Sequence, residues 1–221
     1  MSFFEHTDWS FPPVEEWPDD DVIAVGADLS PNTLLYAYSH GFFPMYIDKK
    51  SRMLGWWSPQ HRGILPLDGL IVTRSMRQSA RKFRTTFNQS FREVMIACSS
   101  SREDGNWITD DFIDAYCELH RLGWAHSVET WDVNNQLVGG LYGVRIDNFF
   151  AGESMFHHKS DASKVALMSL VAVMRGAGMT LLDTQWQTDH LATLGVIEIS
   201  RDEYLSMLTS AIAMPYLRGD N

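Results

Sequence analysis

Hydrophobic and polar positions change their spacing several times along this chain, and each change marks an element. From residue 109 onward the pattern is regular. Thr109 stands before Asp110 and Asp111, and Phe112, Tyr116 and Leu119 recur at helical spacing as far as Gly123. This predicts a capped helix with one apolar stripe. Three strand-like runs follow, His126 to Trp131, Gln136 to Arg145 and Phe149 to Phe156, with Asp132 to Asn135 and Asp147-Asn148 as the turns between them. A helix is expected from Asp161 to Arg175, then a buried strand from Met179 to Gln185. Thr188 caps a short helix closed by Gly195, Val196 to Ile199 reads as a further strand, and Ser200 with Glu203 forms a capping box for the last helix. The first sixty residues read differently. They are dense in proline and aromatics (Phe11-Pro12-Pro13, Trp17-Pro18, Gly41-Phe42-Phe43-Pro44, Trp56-Trp57-Ser58-Pro59), with one clear helix opened by Ser30-Pro31 and closed by Gly41. A small irregular N-terminal domain over residues 1–61 and a larger domain over 62–221 are expected.

Helix, three-stranded antiparallel meander, helix, strand, helix, strand is the order of the N-acetyltransferase-like α/β core. The expected class is therefore α/β (α+β) with a mixed sheet, an analogy of fold that leaves activity open. Enzymes of that core which use acetyl-CoA hold its pyrophosphate on a glycine-rich loop after the meander, where small residues let backbone amides approach phosphate. The matching stretch here, His157 to Lys164, contains no glycine, which argues against CoA bound in that manner.

Composition narrows the setting. Cys98 and Cys117 are the only cysteines and stand far apart, so neither a disulfide framework nor a zinc site is indicated. No run approaches the ~20 apolar residues of a membrane span, and Met1 to His6 lacks a signal peptide's pattern. A cytoplasmic protein is expected. The formal net charge of −10 disfavours indiscriminate nucleic-acid binding, because phosphate affinity comes mainly from Lys and Arg. The charge is unevenly placed, however. Between Asp68 and Glu93 no acid occurs, whereas Arg74, Arg77, Arg81, Lys82, Arg84 and Arg92 all do. Arg74, Arg77 and Arg81 are spaced to share a helix face, which suits either a solvated surface or a local polyanion contact.

The sharpest chemical signal is Asp183 and Gln185 at the end of the buried strand. Alternation on a strand would set both side chains on one side, about 6.5 Å apart. A core carboxylate is costly unless it is paired or used, so a structural Asp and a functional one are both open on this pattern. Glu153 ends the meander beside Gly152, whose missing side chain would let a ligand approach the backbone; a structural Glu would look the same. Gly152-Glu153-Ser154 lacks the second glycine of a nucleophile elbow, and His157-His158 reads as solvated loop.

Taken together, Gly26-Ala27-Asp28-Leu29-Ser30-Pro31, Gly41-Phe42-Phe43-Pro44, Trp56-Trp57-Ser58-Pro59, Arg74-Ser75-Met76, Trp107-Ile108-Thr109, Gly139 to Val144, Gly152 to Phe156 and Asp183 to His190 closely resemble the bacterial leucyl/phenylalanyl-tRNA–protein transferases, from about Phe11 to Met214. The resemblance implies transfer of Leu or Phe (Met less well) from Leu-tRNA, Phe-tRNA or Met-tRNA to proteins with N-terminal Arg or Lys, feeding the N-degron route. It implies a monomer with no metal or organic cofactor. It also implies roles: Asp183 polarising Gln185, whose carboxamide accepts a proton from the attacking amine, and Glu153 as an acidic partner of the site. Leu141, Met155, Leu170 and Leu182 would form the donor side-chain pocket. Trp107 would meet the terminal adenosine, Met45 stands where relatives commonly carry an adenine-stacking tryptophan, and Arg74, Arg77, Arg81 and Lys82 would grip acceptor-stem phosphates. Gln78 replaces a base in that stripe, and the usual aromatic, basic tail after Met214 is missing. The rival readings are an acetyl-CoA-dependent N-acetyltransferase and a non-catalytic RNA-binding relative.

Overall fold

The proline- and aromatic-rich opening segment, expected to be irregular around one helix, contains a small sheet. In the computed structural model, which describes residues 7–48, 52–100 and 108–213, β1 (Val22–Val25), β3 (Met53–Trp57) and β2 (Phe43–Asp48) pair in the order β1-β3-β2. Pro44 and Gly55 within these short strands interrupt any alternation, so pairing rather than pattern makes the sheet. The helix α1 (Pro31–Ser39) forms as expected: Ser30 Oγ accepts from the Thr33 amide, and Pro31 occupies the first turn.

The chain then enters a seven-stranded sheet at β4 (His61–Ile64). The remaining elements are α2 (Arg74–Ala80), β5 (Arg84–Phe87), α3 (Phe91–Ser100), α4 (Asp110–Arg121), β6 (Ala125–Trp131), β7 (Leu137–Ile146), β8 (Phe149–His157), α5 (Ala162–Gly176), β9 (Leu181–Gln185), α6 (Asp189–Ala192), β10 (Ile197–Ser200) and α7 (Arg201–Ala213). The meander, the helix before it and the alternation after it lie within a few residues of the expected bounds. Strand order is β10-β4-β9-β8-β7-β6-β5. All neighbours are antiparallel except β8 and β9, so the sheet is mixed and the fold N-acetyltransferase-like.

Two apolar layers enclose the sheet. One joins α1, α3, α4 and α7 through Tyr38, Val94, Phe112, Tyr116 and Leu208. The other places α5 and Met76 of α2 against Leu141, Phe150 and Leu182. The parallel pair is the decisive feature. β8 and β9 pair only at Phe149 with Leu181, Phe150 with Leu182 and Ala151 with Asp183. Beyond that β8 runs on to His157 and β9 to Gln185, so the two strands part in mid-sheet and leave a cleft. Among the described residues no helix is long and apolar enough to cross a membrane.

Candidate active site

Both lips of the cleft are bulged. On β8, Gly152 and Ser154 stand opposite Gly143 and Tyr142, so Glu153 is an extra residue. On β9, Asp183 and Gln185 stand opposite Ile64 and Gly63, so Thr184 is extra. A bulge disrupts the ladder locally and re-aims side chains. Gln185 is in a left-handed backbone conformation (φ 60°), uncommon for a residue with a side chain. Its carboxamide Nε2 donates to Glu153 Oε1 at 3.1 Å, which ties the lips together.

Asp183 holds that backbone in place. It is fully buried, and its Oδ1 accepts the Gln185 backbone N–H at 2.8 Å. The carboxylate meets the Gln185 main chain, and the bulge at Thr184 breaks the simple alternation expected of the strand. The rest of the carboxylate is engaged by Arg62, through Nε to Oδ1 at 2.9 Å and Nη2 to Oδ2 at 2.6 Å, and by the Tyr204 hydroxyl at 3.0 Å. Arg62 is itself buried, lies against the rings of Phe43 and Tyr204, and donates to the Gly41 carbonyl at 3.2 Å. Burial opposes its charge, but neighbouring Asp183 outweighs that and holds the guanidinium above its ordinary pKa. The Asp183 charge is matched locally by Arg62. Burial, and secondarily the charge of Asp183, push Glu153 up to about 8, while the Tyr38 and Tyr116 hydroxyls and Arg62 act the other way. Tyr38 of α1 and Tyr116 of α4 also hydrogen-bond each other.

A cavity of about 420 Å³ fills the cleft. Leu141, Met155, Leu170 and Leu182 line it together with Leu65 and Leu167, and Glu153, Gln185 and Met45 line the same cavity. The structure thus brings together all the proposed pocket and catalytic positions except Asp183, which sits behind them. Trp107 lies outside the described residues. Arg74, Arg77, Arg81 and Lys82 are exposed, and among the described residues none of them enters an ion pair. They sit beside α5: Ser79 Oγ donates to Asp161 Oδ2 at 3.1 Å, next to the helix start whose Ser163 lines the cavity. Among the described residues no three His, Cys, Asp or Glu side chains gather to hold a metal ion.

Arg62, Tyr204, Tyr38 and Tyr116 were not found from sequence. For Arg62 a signal existed, an arginine directly before Gly63-Ile64-Leu65, but the segment reads as a domain boundary. The tyrosines look like ordinary apolar-stripe residues.

A mixed sheet of N-acetyltransferase-like order, parted around an apolar cavity that ends at an acid and a carboxamide, is an arrangement that suits a group-transfer enzyme. Comparison with known proteins narrows the class. The family described as leucyl/phenylalanyl-tRNA protein transferase matches residues 64–209, and its N-terminal domain matches 27–60. A leucyl/phenylalanyl-tRNA–protein transferase of Pseudoalteromonas atlantica is 50% identical over 198 residues, covering 88% of this chain and 83% of that protein. One of Pseudomonas fluorescens is 43% identical over 221 residues, covering 97% and 96%. Among solved structures, FemX aligns with 77% of this chain and 66% of its own at 11% identity, with a TM-score of 0.49. The chain belongs to the leucyl/phenylalanyl-tRNA protein transferase family and is an aminoacyltransferase.

Proposed function

We propose that the protein moves Leu or Phe, and Met less well, from the corresponding charged tRNA to the α-amino group of proteins beginning with Arg or Lys. It would act as a cytoplasmic monomer and feed the bacterial N-degron route. The observation that carries this reading is the cavity itself: an apolar wall suited to an apolar side chain not branched at Cβ runs into the Glu153–Gln185 pair. A side chain seated on Leu141, Met155, Leu170 and Leu182 brings its ester carbonyl toward that pair. The ester is already activated, so catalysis chiefly requires an amine held against it in the correct geometry. Gln185 Nε2 is engaged by Glu153, which leaves the carboxamide oxygen to accept an N–H of the attacking amine. Asp183 acts as a positioning residue by fixing the Gln185 backbone. Glu153, largely uncharged below about pH 8, holds the Gln185 carboxamide in place and offers hydrogen bonds rather than charge to the acceptor amine, and the 74–82 segment supplies the phosphate contacts.

The test is direct. Purified protein is incubated with charged Leu-, Phe- and Met-tRNA, or with acetyl-CoA, and a peptide beginning with Arg, and the product is weighed. A mass gain of one Leu or Phe residue is expected. An acetylated product, or no product with any donor, would refute the assignment. Widening the pocket with Leu182→Ala should move donor preference from Leu toward Phe; a methylene-scale change in such a pocket is worth about 1–3 kcal/mol. An unmoved preference would place the donor side chain elsewhere.

A further inference from the structure

The mouth of the cavity carries a group of basic side chains that the transfer chemistry does not use. His157, at the end of β8, and His190, in α6, both line the cavity and are exposed at its rim. Among the described residues no hydrogen bond engages either imidazole. Lys164, in the first turn of α5, completes the group. Partial burial, and after it the charges of Lys164 and His157, hold His190 below its ordinary pKa, as expected where groups able to carry positive charge converge.

This group lies between the cavity and the basic 74–82 segment. Just before α2, the Ile71 amide donates to the Leu194 carbonyl, two residues past α6, at 3.0 Å. Near its end, Ser79 Oγ donates to Asp161 Oδ2 at 3.1 Å, and Lys164 Nζ donates to Asp161 Oδ1 at 3.1 Å. The helix is thus tied at both ends to the elements that bear His190 and Lys164. A tRNA whose stem meets α2 and whose ester meets Gln185 must carry its unpaired 3′ strand across this span, and each nucleotide of that strand brings a negative phosphodiester. The main chain of the β8–α5 turn has few amides to offer it. His158 and Lys159 donate to the Val138 carbonyl, and Ala162 donates to that of Lys159. Side chains must therefore meet the anion. Lys159 pairs with Asp132, and His158 lies against Phe156, which leaves His157, Lys164 and His190. The acids beside them are Asp161, which shares its charge with Lys164, and the exposed Asp189. An arriving phosphate favours protonated histidines, which supply the balance.

We propose that His157, Lys164 and His190 bind the phosphodiester on the 5′ side of the donor's terminal adenosine. This rests on the aminoacyl-transfer reading. The imidazolium and ammonium N–H groups donate to the phosphate oxygens, the stronger class of hydrogen bond because both partners are charged. The site joins the cleft to the stem contact on α2 and fixes the distance between the ester and the first phosphate. It acts on binding of the donor and takes no part in the attack of the amine.

The experiment measures binding of two amide-linked donor analogues that cannot be transferred, with transfer from charged Leu-tRNA followed in parallel. One is 3′-(leucylamino)-3′-deoxyadenosine; the other is the same compound bearing a 5′-methyl phosphodiester. The phosphodiester should bind about tenfold more tightly, the worth of one hydrogen bond to a charged group. The ratio should shrink as pH rises from about 6 to about 8, where the histidines lose their protons; groups that meet both compounds, Glu153 among them, cancel in it. The double variant His157→Ala, His190→Ala should bind the two compounds alike, with Tm level, as for exposed side chains. Arg77→Ala should keep the wild-type ratio, because α2 meets the stem. Equal binding of the two compounds by the wild type, a ratio kept by the double variant, or a ratio lost in Arg77→Ala would each overturn the assignment while leaving aminoacyl transfer standing. Absence of transfer from charged tRNA by the wild type would remove both.

Discussion

A buried carboxylate at the end of a strand can either carry out chemistry or organise it, and Asp183 organises. Its oxygens are taken by Arg62, Tyr204 and the Gln185 amide. Breaking a buried pair leaves an uncompensated charge. Arg62→Met should therefore cost about 3–5 kcal/mol of stability, measured by urea unfolding, with Asp183→Asn in the same background recovering part of it. A loss no larger than that of a surface substitution would show that the pair is not held as described. Glu153 makes a separate prediction. Its folded pKa of about 8 lies above the ordinary 4.5, so the native state binds its proton more tightly than the unfolded chain does. The corresponding stability is fully present below 4.5 and is lost as pH rises toward 8. Glu153→Gln, which keeps the neutral shape, should gain stability relative to the wild type across that window when urea midpoints are compared. A difference independent of pH would mean that Asp183, Arg62, Tyr38 and Tyr116 do not hold the carboxyl as described. From sequence, Asp183, Gln185 and Glu153 stand out because acids and amides are rare in buried strands. Arg62 does not, because its burial is visible only once β4 is seen between β9 and β10.

At the scale of elements, function depends on where β8 and β9 cease to pair and on the bulge each carries. Gly63 on β4 lies under the β9 bulge. A Cβ there would meet the Gln187 nitrogen and Trp186 carbonyl carbon at 2.8 Å and Thr184 Oγ1 at 2.9 Å, two of them backbone atoms that cannot rotate aside. Gly63→Ala should displace the segment bearing Gln185. Overpacking of this kind costs about 1–3 kcal/mol, and a misplacement near 1 Å costs about 10²-fold in rate. Steady-state transfer together with a melting curve checks both, and normal activity would show that the bulge tolerates movement. The elements from α4 onward were legible because cap, stripe and turn residues agree with one another: Thr109 with Gly123, Thr188 with Gly195, and Ser200 with Glu203. The small sheet and β4 were not legible. Their strands have only four to six residues, include Pro44 and Gly55, and take their stability from partners distant in sequence.

Over the whole molecule, a net charge of −10 coexists with a basic segment beside α5. If that segment holds acceptor-stem phosphates, transfer from tRNA should weaken steeply with added salt. Each cation removed should lower the log–log salt slope by up to about one unit. Transfer from a short aminoacyl-adenosine donor, which has no stem, should respond far less to salt or to Arg77→Ala. Equal sensitivity of the two donors would move the tRNA contact elsewhere and leave the cleft chemistry as it stands.

Residue order alone carried the elements after Thr109, the polar residues Glu153 and Gln185 that bridge the cleft, and the family resemblance, which in turn implied the apolar residues of the pocket. These are local properties: period, cap, turn and residue type can be read within a short window. Only the tertiary structure decided what neutralises Asp183, since Arg62 lies 121 positions away. It also decided that Asp183 acts on the Gln185 backbone, and that tyrosines from α1 and α4 close over Glu153. Charge pairing and burial depend on distance in space, and a chain that brings β4 between β10 and β9 sets those distances only after it has folded.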